Sequence, residues 1–279
     1  MEYFRSQLTE LLTEYGDIFE VWFDGANGGW GYYGGARENR NIDRSTYYRW
    51  PETVALIRRL QPNCIIWNEV GPDIRWCGNE QGAGSDTNWS RYSYAKHVPG
   101  QPDNYTLARG EEDGTDFVPS AVHVSIRPGW FYHEFEDLKV KSVSKLWNIY
   151  LSSVGKNATW LLNCPIDCTG RIHDNDAQAA IAFNRYLQSA LQTDLARQAK
   201  RRGGTLTFKQ PVTFNLIELR EDIRRGQHID HFAVEAQCDG EWRTIAEGTT
   251  VGHKRLLPIA STTATAIRVT PRCDCSLYD

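Results

Sequence analysis

The sequence predicts an α/β fold, part of a (β/α)₈ TIM-type barrel, followed by a small antiparallel β-sandwich. Three observations predict it. Apolar runs of strand length alternate with helical periodicity up to Leu191. Polar residues suited to chemistry fall just after those runs, where a barrel of parallel strands carries its site. Past Gly204 the texture changes to short alternating runs separated by turn signals.

Phe4, Leu8, Leu11, Leu12 and Tyr15 recur at helical spacing, so the chain opens in an amphipathic helix that stops at Gly16. No basic stretch followed by an apolar one is present there, so this is not a signal peptide. Residues 18–23 read as a buried strand ending at Asp24, residues 25–35 as a Gly-rich loop and residues 47–60 as a helix. A second strand at 64–68 leads into a long polar loop, and a third at 122–126 ends at Arg127-Pro128-Gly129. A helix at 140–154, a fourth strand at 159–163 and a helix at 176–191 with an acidic first turn complete this part.

Four strands, or five if one hides in the long loop, are too few to close a barrel, which needs eight in ~250 residues. Residues 1–195 are therefore expected to form a barrel from about its fourth strand onward. Residues 196–204, with the basic cluster Arg197, Lys200, Arg201 and Arg202, read as a solvated linker. Runs at 205–208, 214–220, 231–237, 242–246 and 266–270 give a sandwich over 205–279, with Asp239-Gly240 as a hairpin turn. No closing strand is evident before Asp279, so the sandwich reads as incomplete.

Composition narrows the function classes. Of 279 residues, 41% are hydrophobic and 24% charged, mean hydropathy is −0.53, and no apolar run approaches the ~20 residues of a membrane span. A net charge of −4 excludes nucleic acid and anionic membranes as general partners, because both are held by clustered Lys and Arg. Seven Cys without paired CxxC units read as buried thiols, and seven His without HExxH spacing predict no metal. Ten Trp, thirteen Tyr and ten Phe supply flat apolar faces of the kind sugar sites use, or a large aromatic core. Asn-x-Ser/Thr triplets stand at Asn88, Asn104 and Asn157.

Three segments carry candidate chemistry. Asp24 follows a strand and precedes a permissive glycine, which suits a rigidly held catalytic carboxylate or an Asp capping the next loop. Residues 68–82 bring Glu69, Asp73, Glu80, Arg75 and Trp76 into one loop, either a site or a solvated surface. Residues 125–131 carry Trp130 after a strand, either at a site or in a turn with core aromatics.

Trp22-Phe23-Asp24-Gly25, Gly71-Pro72-Asp73-Ile74-Arg75-Trp76 with Gly78-Asn79-Glu80, residues 125–131, and Ser153-Val154-Gly155-Lys156-Asn157 with Leu161-Leu162-Asn163 occur in order. Together they resemble glycoside hydrolase family 29, the α-L-fucosidases. Gly226-Gln227, Trp242 and residues 252–255 resemble the β-sandwich that follows the barrel there, so the likeness spans nearly the whole chain.

The resemblance implies a retaining α-L-fucosidase with Asp24 as nucleophile at the end of the fourth barrel strand. It implies Glu80 as acid/base, with Glu69 as the alternative, since both follow the second strand of this chain. Glu80 lies 80 − 24 = 56 positions beyond Asp24, a spacing attributed to an insertion within residues 28–44. Trp22 and Trp130 are expected against the sugar ring or its C6 methyl, Arg75 as a hydroxyl donor, and Trp76 or Trp89 beside Glu80.

No cofactor is implied. The expected partner is a fucosylated oligosaccharide or glycoconjugate, with α-1,3/1,4-linked fucose as in the subgroup that the 71–80 loop resembles, and a secreted or periplasmic location. Ala121 and His123 depart from the acidic residues usual before the 125–131 motif, which bears on substrate geometry. The family's early strands, which supply pocket His residues, are missing, so a non-catalytic carbohydrate-binding protein or inactive fragment is the alternative. A barrel glycosidase of another family, acting on β-linked sugars, would need a Glu after the 159–163 strand, and none follows.

Overall fold

The computed structural model describes residues 1–24, 29–32, 39–43, 45–99 and 103–279. Helix α1 (Glu2–Thr13) turns Leu8 and Leu12, one turn apart, onto a small core shared with Ile57 and Ile66. It ends before Gly16, whose φ of 82° is one that side chains resist. Strand β1 (Glu20–Trp22) follows. Part of the segment read as a Gly-rich loop is instead a hairpin of β2 (Gly29–Tyr32) and β3 (Asn39–Ile42), formed through backbone pairing that needs no side chains. The remainder, including Gly25, lies outside the described residues.

Helix α2 (Trp50–Leu60) carries Pro51 in its first turn, where no backbone donor is lost, and buries Trp50, Thr53 and Ile57 at helical spacing. Strand β4 (Ile65–Trp67) leads to β5 (Arg75–Trp76), the strand hidden in the long polar loop. Then come β6 (Arg91–Tyr92), α3 (Asn104–Arg109), β7 (Asp116–Phe117), β8 (Ser120–Ser125), α4 (Val143–Ser152), β9 (Thr159–Asn163) and α5 (Asp174–Ala190). Ser142 caps α4 by accepting the Lys145 amide at 3.3 Å, and acidic Asp174 and Asp176 sit in the first turn of α5, favourable to its dipole.

Strand β1 pairs parallel with β4, a parallel bridge joins Trp67 to Ile74 ahead of β5, and β5, β8 and β9 continue in parallel. Five parallel segments therefore lie side by side in chain order. All six residues of β8 are buried, as expected for a parallel strand covered on both faces.

The rest of the chain is one antiparallel sheet. Its strands are β10 (Lys200–Arg202), β11 (Thr205–Arg220), β12 (Phe232–Cys238), β13 (Glu241–Gly248), β14 (Arg255–Thr270) and β15 (Asp274–Tyr278), in the order β10-β11-β14-β12-β13 with β15 also on β11. Register shifts along the β11–β14 pair, between Thr207 and Val212 and between Phe214 and Leu216, bend the long strands. Phe214, Ile217, Phe232, Val234, Ile267 and Leu277 from both halves meet in a single core.

Two expectations are corrected here. The basic segment read as a linker is strand β10, with Lys200 to Arg202 exposed but paired to residues 205–207 across the Gly203-Gly204 turn. A closing strand does exist, because Cys275 and Leu277 alternate inward while Asp274 and Ser276 mask the pattern. Cys64, Cys77 and Cys275 are buried as read, but Cys168 is exposed.

A buried amide cluster joins the parallel part to the sheet. The Asn88 backbone amide donates to Thr250 Oγ1 at 2.8 Å, and the Asn88 carbonyl accepts from Asn157 Nδ2 at 3.0 Å and Gln227 Nε2 at 3.1 Å. Gln227 Oε1 also accepts the Ser90 amide at 2.8 Å, and Asn157 Oδ1 that of His253 at 2.8 Å. Gly252, with φ 65°, approaches so closely that a Cβ would stand 2.3 Å from Asn157 Cγ. The motif residues at 157, 227 and 252 are thus a seam between the two parts.

Candidate active site

Side chains two apart on a strand share a face, and that period builds the site. Trp22 and Asp24 at β1, Trp67 and Glu69 at β4, and Leu161 and Asn163 on β9 line a single cavity of about 630 Å³ together with Trp76 and His123. Trp22, Trp67, His123 and Leu161 form an inner layer. The register pairs Trp22 with Trp67 and His123 with Leu161. Asp24, Glu69 and Asn163 form the layer above, at or just beyond the C-terminal ends of the strands. Glu80, from the loop after β5, and Trp130 and Phe131, from the loop after β8, complete the wall.

The expected pair, Asp24 and Glu80, is therefore brought to one cavity, and Glu69 joins it. The Trp130 indole N–H donates to Glu80 Oε2 at 3.4 Å. Asn163 Nδ2 holds that loop by donating to the Trp130 carbonyl at 2.9 Å and to Ser125 Oγ at 3.1 Å. Further support comes from fully buried Arg127, whose Nε donates to both Asp176 oxygens at 2.8 and 3.0 Å and whose Nη1 donates to Asp137 at 2.8 Å. Trp22 and Trp130 are 41% and 38% exposed, so each offers a face to the cavity.

Arg75 is corrected. Its guanidinium is wholly buried away from the cavity and donates to the carbonyls of Leu107 and Trp89 at 2.9 and 2.8 Å, to Asn88 Oδ1 at 3.2 Å and to the Val118 carbonyl. Burial pulls its pKa down to about 10, still well above neutrality. It ties three segments of the long loop together, a structural task invisible in sequence because its acceptors are scattered backbone oxygens. Trp89 is likewise buried and does not line the cavity, whereas Trp76 does.

Trp67, His123, Phe131, Leu161 and Asn163 were not singled out as contacts. For Trp67 and Leu161 the signal was available, two residues before Glu69 and Asn163 on the same strand face. The Trp22 and Trp67 rings stack with centroids 4.6 Å apart, and His123 packs on both at 5.6 and 4.7 Å. Burial holds His123 neutral, with its pKa lowered to about 4. Among the described lining residues there is no Lys or Arg, and three carry carboxyl groups.

The chain is 35% identical to Alpha-L-fucosidase 1 of Arabidopsis thaliana, over 92% of this chain and 55% of that protein. Among solved structures, a glycoside hydrolase 29 family member from an unknown rumen bacterium superposes with a TM-score of 0.90 at 45% identity, covering 99% of this chain and 53% of that one. SpGH29 superposes with a TM-score of 0.87 at 31% identity, covering 100% of this chain and 68% of that one. The chain belongs to glycoside hydrolase family 29. No family model matches it. It spans about half the length of the plant protein and of the rumen bacterial enzyme, and its fold corresponds to a barrel-type catalytic part followed by a β domain.

Proposed function

We propose that the protein to which this chain belongs is a retaining α-L-fucosidase, with Asp24 as nucleophile and Glu80 as acid/base. The observation that carries the reading is the shared cavity, to which two strand ends and one following loop deliver Asp24, Glu69 and Glu80. In double displacement an ionised Asp24 attacks the anomeric carbon while Glu80 gives its proton to the leaving oxygen. Glu80, now a carboxylate, then takes a proton from the water that releases the sugar. Trp22 and Trp130 supply apolar faces for the C–H surface and methyl of fucose, and Trp76 flanks the acid. The name of the plant relative supports fucose as the glycon, and the 71–80 loop supports α-1,3/1,4-linked fucose on oligosaccharides or glycoconjugates. The five parallel segments are read as the fourth to eighth strands of the barrel, with residues from about 196 as a separate β domain.

The test uses the full-length protein containing this chain, an activated aryl fucoside and a Lewis-type trisaccharide. Asp24→Ala should abolish hydrolysis of both. Glu80→Ala should spare the aryl fucoside, whose leaving group needs no proton, and lose the trisaccharide. If Glu69→Ala gives that split instead, the acid/base role belongs to Glu69, and preferred cleavage of a non-fucosyl glycoside would overturn the reading.

A further inference from the structure

His123 lines the cavity, and the proposed mechanism does not use its chemistry. It sits on β8, 5% exposed, with one ring face toward Trp67 and Trp22. Neither ring nitrogen hydrogen-bonds to a described protein group, and neither is sealed away as a buried unpartnered atom. A polar ring so deeply set, so well packed on its faces and so unused at its edge presents its nitrogens to the cavity. Buried polar groups normally find partners, and the space left for one here is that of the ligand. Strand β8 passes between β5 and β9, and the ring stands beside Leu161 in the layer below Asp24 and Glu69.

We propose that His123 is a sugar-contacting residue that reads two neighbouring hydroxyls of the bound glycon, one as donor and one as acceptor. This rests on the reading of the cavity as a glycoside site. Neutral imidazole carries one N–H and one lone pair, whereas imidazolium carries only donors. The apolar packing that keeps the ring uncharged therefore keeps both functions available. A cis pair of hydroxyls, such as those at C3 and C4 of L-fucose, accepts from one nitrogen and donates to the other. A sugar lacking that pair would leave one nitrogen without a sugar partner, which is how such positions discriminate.

The experiment follows binding rather than turnover, using the full-length protein containing this chain with selectively ¹⁵N-labelled histidine. L-Fucose, D-galactose, D-mannose and D-glucose are added in turn while the ring resonances are recorded, with His123→Phe identifying its signals. The expected result is a shift of the His123 nitrogens on saturation with L-fucose, about tenfold weaker fucose binding in His123→Phe, and partial recovery in His123→Gln. Binding of L-fucose without movement of those resonances overturns the inference and spares the fucosidase reading. Movement with another sugar but not with L-fucose overturns the fucosidase reading and sustains the role of His123. If none of the four sugars moves the resonances, His123 is not a glycon contact.

Discussion

Residues 205–278 gather Phe214, Ile217, Phe232, Val234, Ile267 and Leu277 into one continuous core and expose no large hydrophobic side chain. The parallel-strand part divides its apolar contacts among smaller clusters. Its interior instead holds Arg75, Arg127, Asp176 and His123. Burying charge and unpaired nitrogen is unfavourable unless partners are built around them; Arg75 and Asp176 have theirs, and Arg127 is paired through Nε and Nη1 while its Nη2 has no partner among the described residues. The difference separates a part held by one apolar core from one that is held by buried polar ties and carries the cavity.

The largest effect expected from breaking this division is on chemistry. In the full-length protein Asp24→Ala should lower turnover of an aryl fucoside by ~10⁴-fold or more while leaving the melting temperature unchanged, since the residue is exposed at the cavity. A matching loss of stability would show that the site and the fold are not separable there.

Asp176→Ala should destabilise by about 3–5 kcal/mol in urea titration, because it strips the bidentate partner from a fully buried guanidinium. Phe232→Ala in the sheet core should lose about 3–5 kcal/mol by leaving a cavity. Similar values by unlike causes would sharpen the comparison. A loss below ~1 kcal/mol for Asp176 would break it.

His123 gives the pH dependence. Its folded pKa of about 4 lies below the ordinary 6.5, so above pH 6.5 the ring is neutral in both states and contributes no slope. As pH falls from 6.5 toward 4, the unfolded chain takes up a proton that the folded ring refuses, and stability drops by on the order of 3 kcal/mol. Urea titrations at pH 7 and pH 4.5 should differ less in His123→Phe than in the natural protein. The smallest effect is expected at Leu138, 95% exposed, where Ser should change stability by no more than about 0.5 kcal/mol. A larger change would mean that this face is covered in solution.

Strand 159–163 was legible to the residue because an apolar run sits between clear polar ends. Asp24, Glu80, Trp76 and Trp130 were legible because motif order carried them to one cavity. Arg75 was misread for a physical reason: a charged residue in a polar loop looks solvated until its acceptors, supplied from residues 88, 89, 107 and 118, are known. Strand β5 escaped because two residues carry no periodicity, and β10 because exposed Lys and Arg on an edge strand read like a linker. His123 was noticed only as a departure from a pattern. That its ring faces the cavity follows from strand direction and from two Trp residues distant in sequence.

The amide seam has a consequence for how the protein can be made. Asn88 and Asn157, whose side-chain amides are spent inside it, both stand in Asn-x-Ser/Thr triplets, and in the folded protein they are 0% and 7% exposed. Asn104, the third such residue, is exposed at the start of α3. In a host that attaches glycans to nascent chains, the enzyme and the fold compete for the same two nitrogens. A glycan on either would wedge the two parts of the molecule apart, whereas one on Asn104 would project into solvent. Production in a bacterial cytoplasm avoids that contest, and a glycosylating host would need Asn88 and Asn157 to fold out of reach before the transferase arrives.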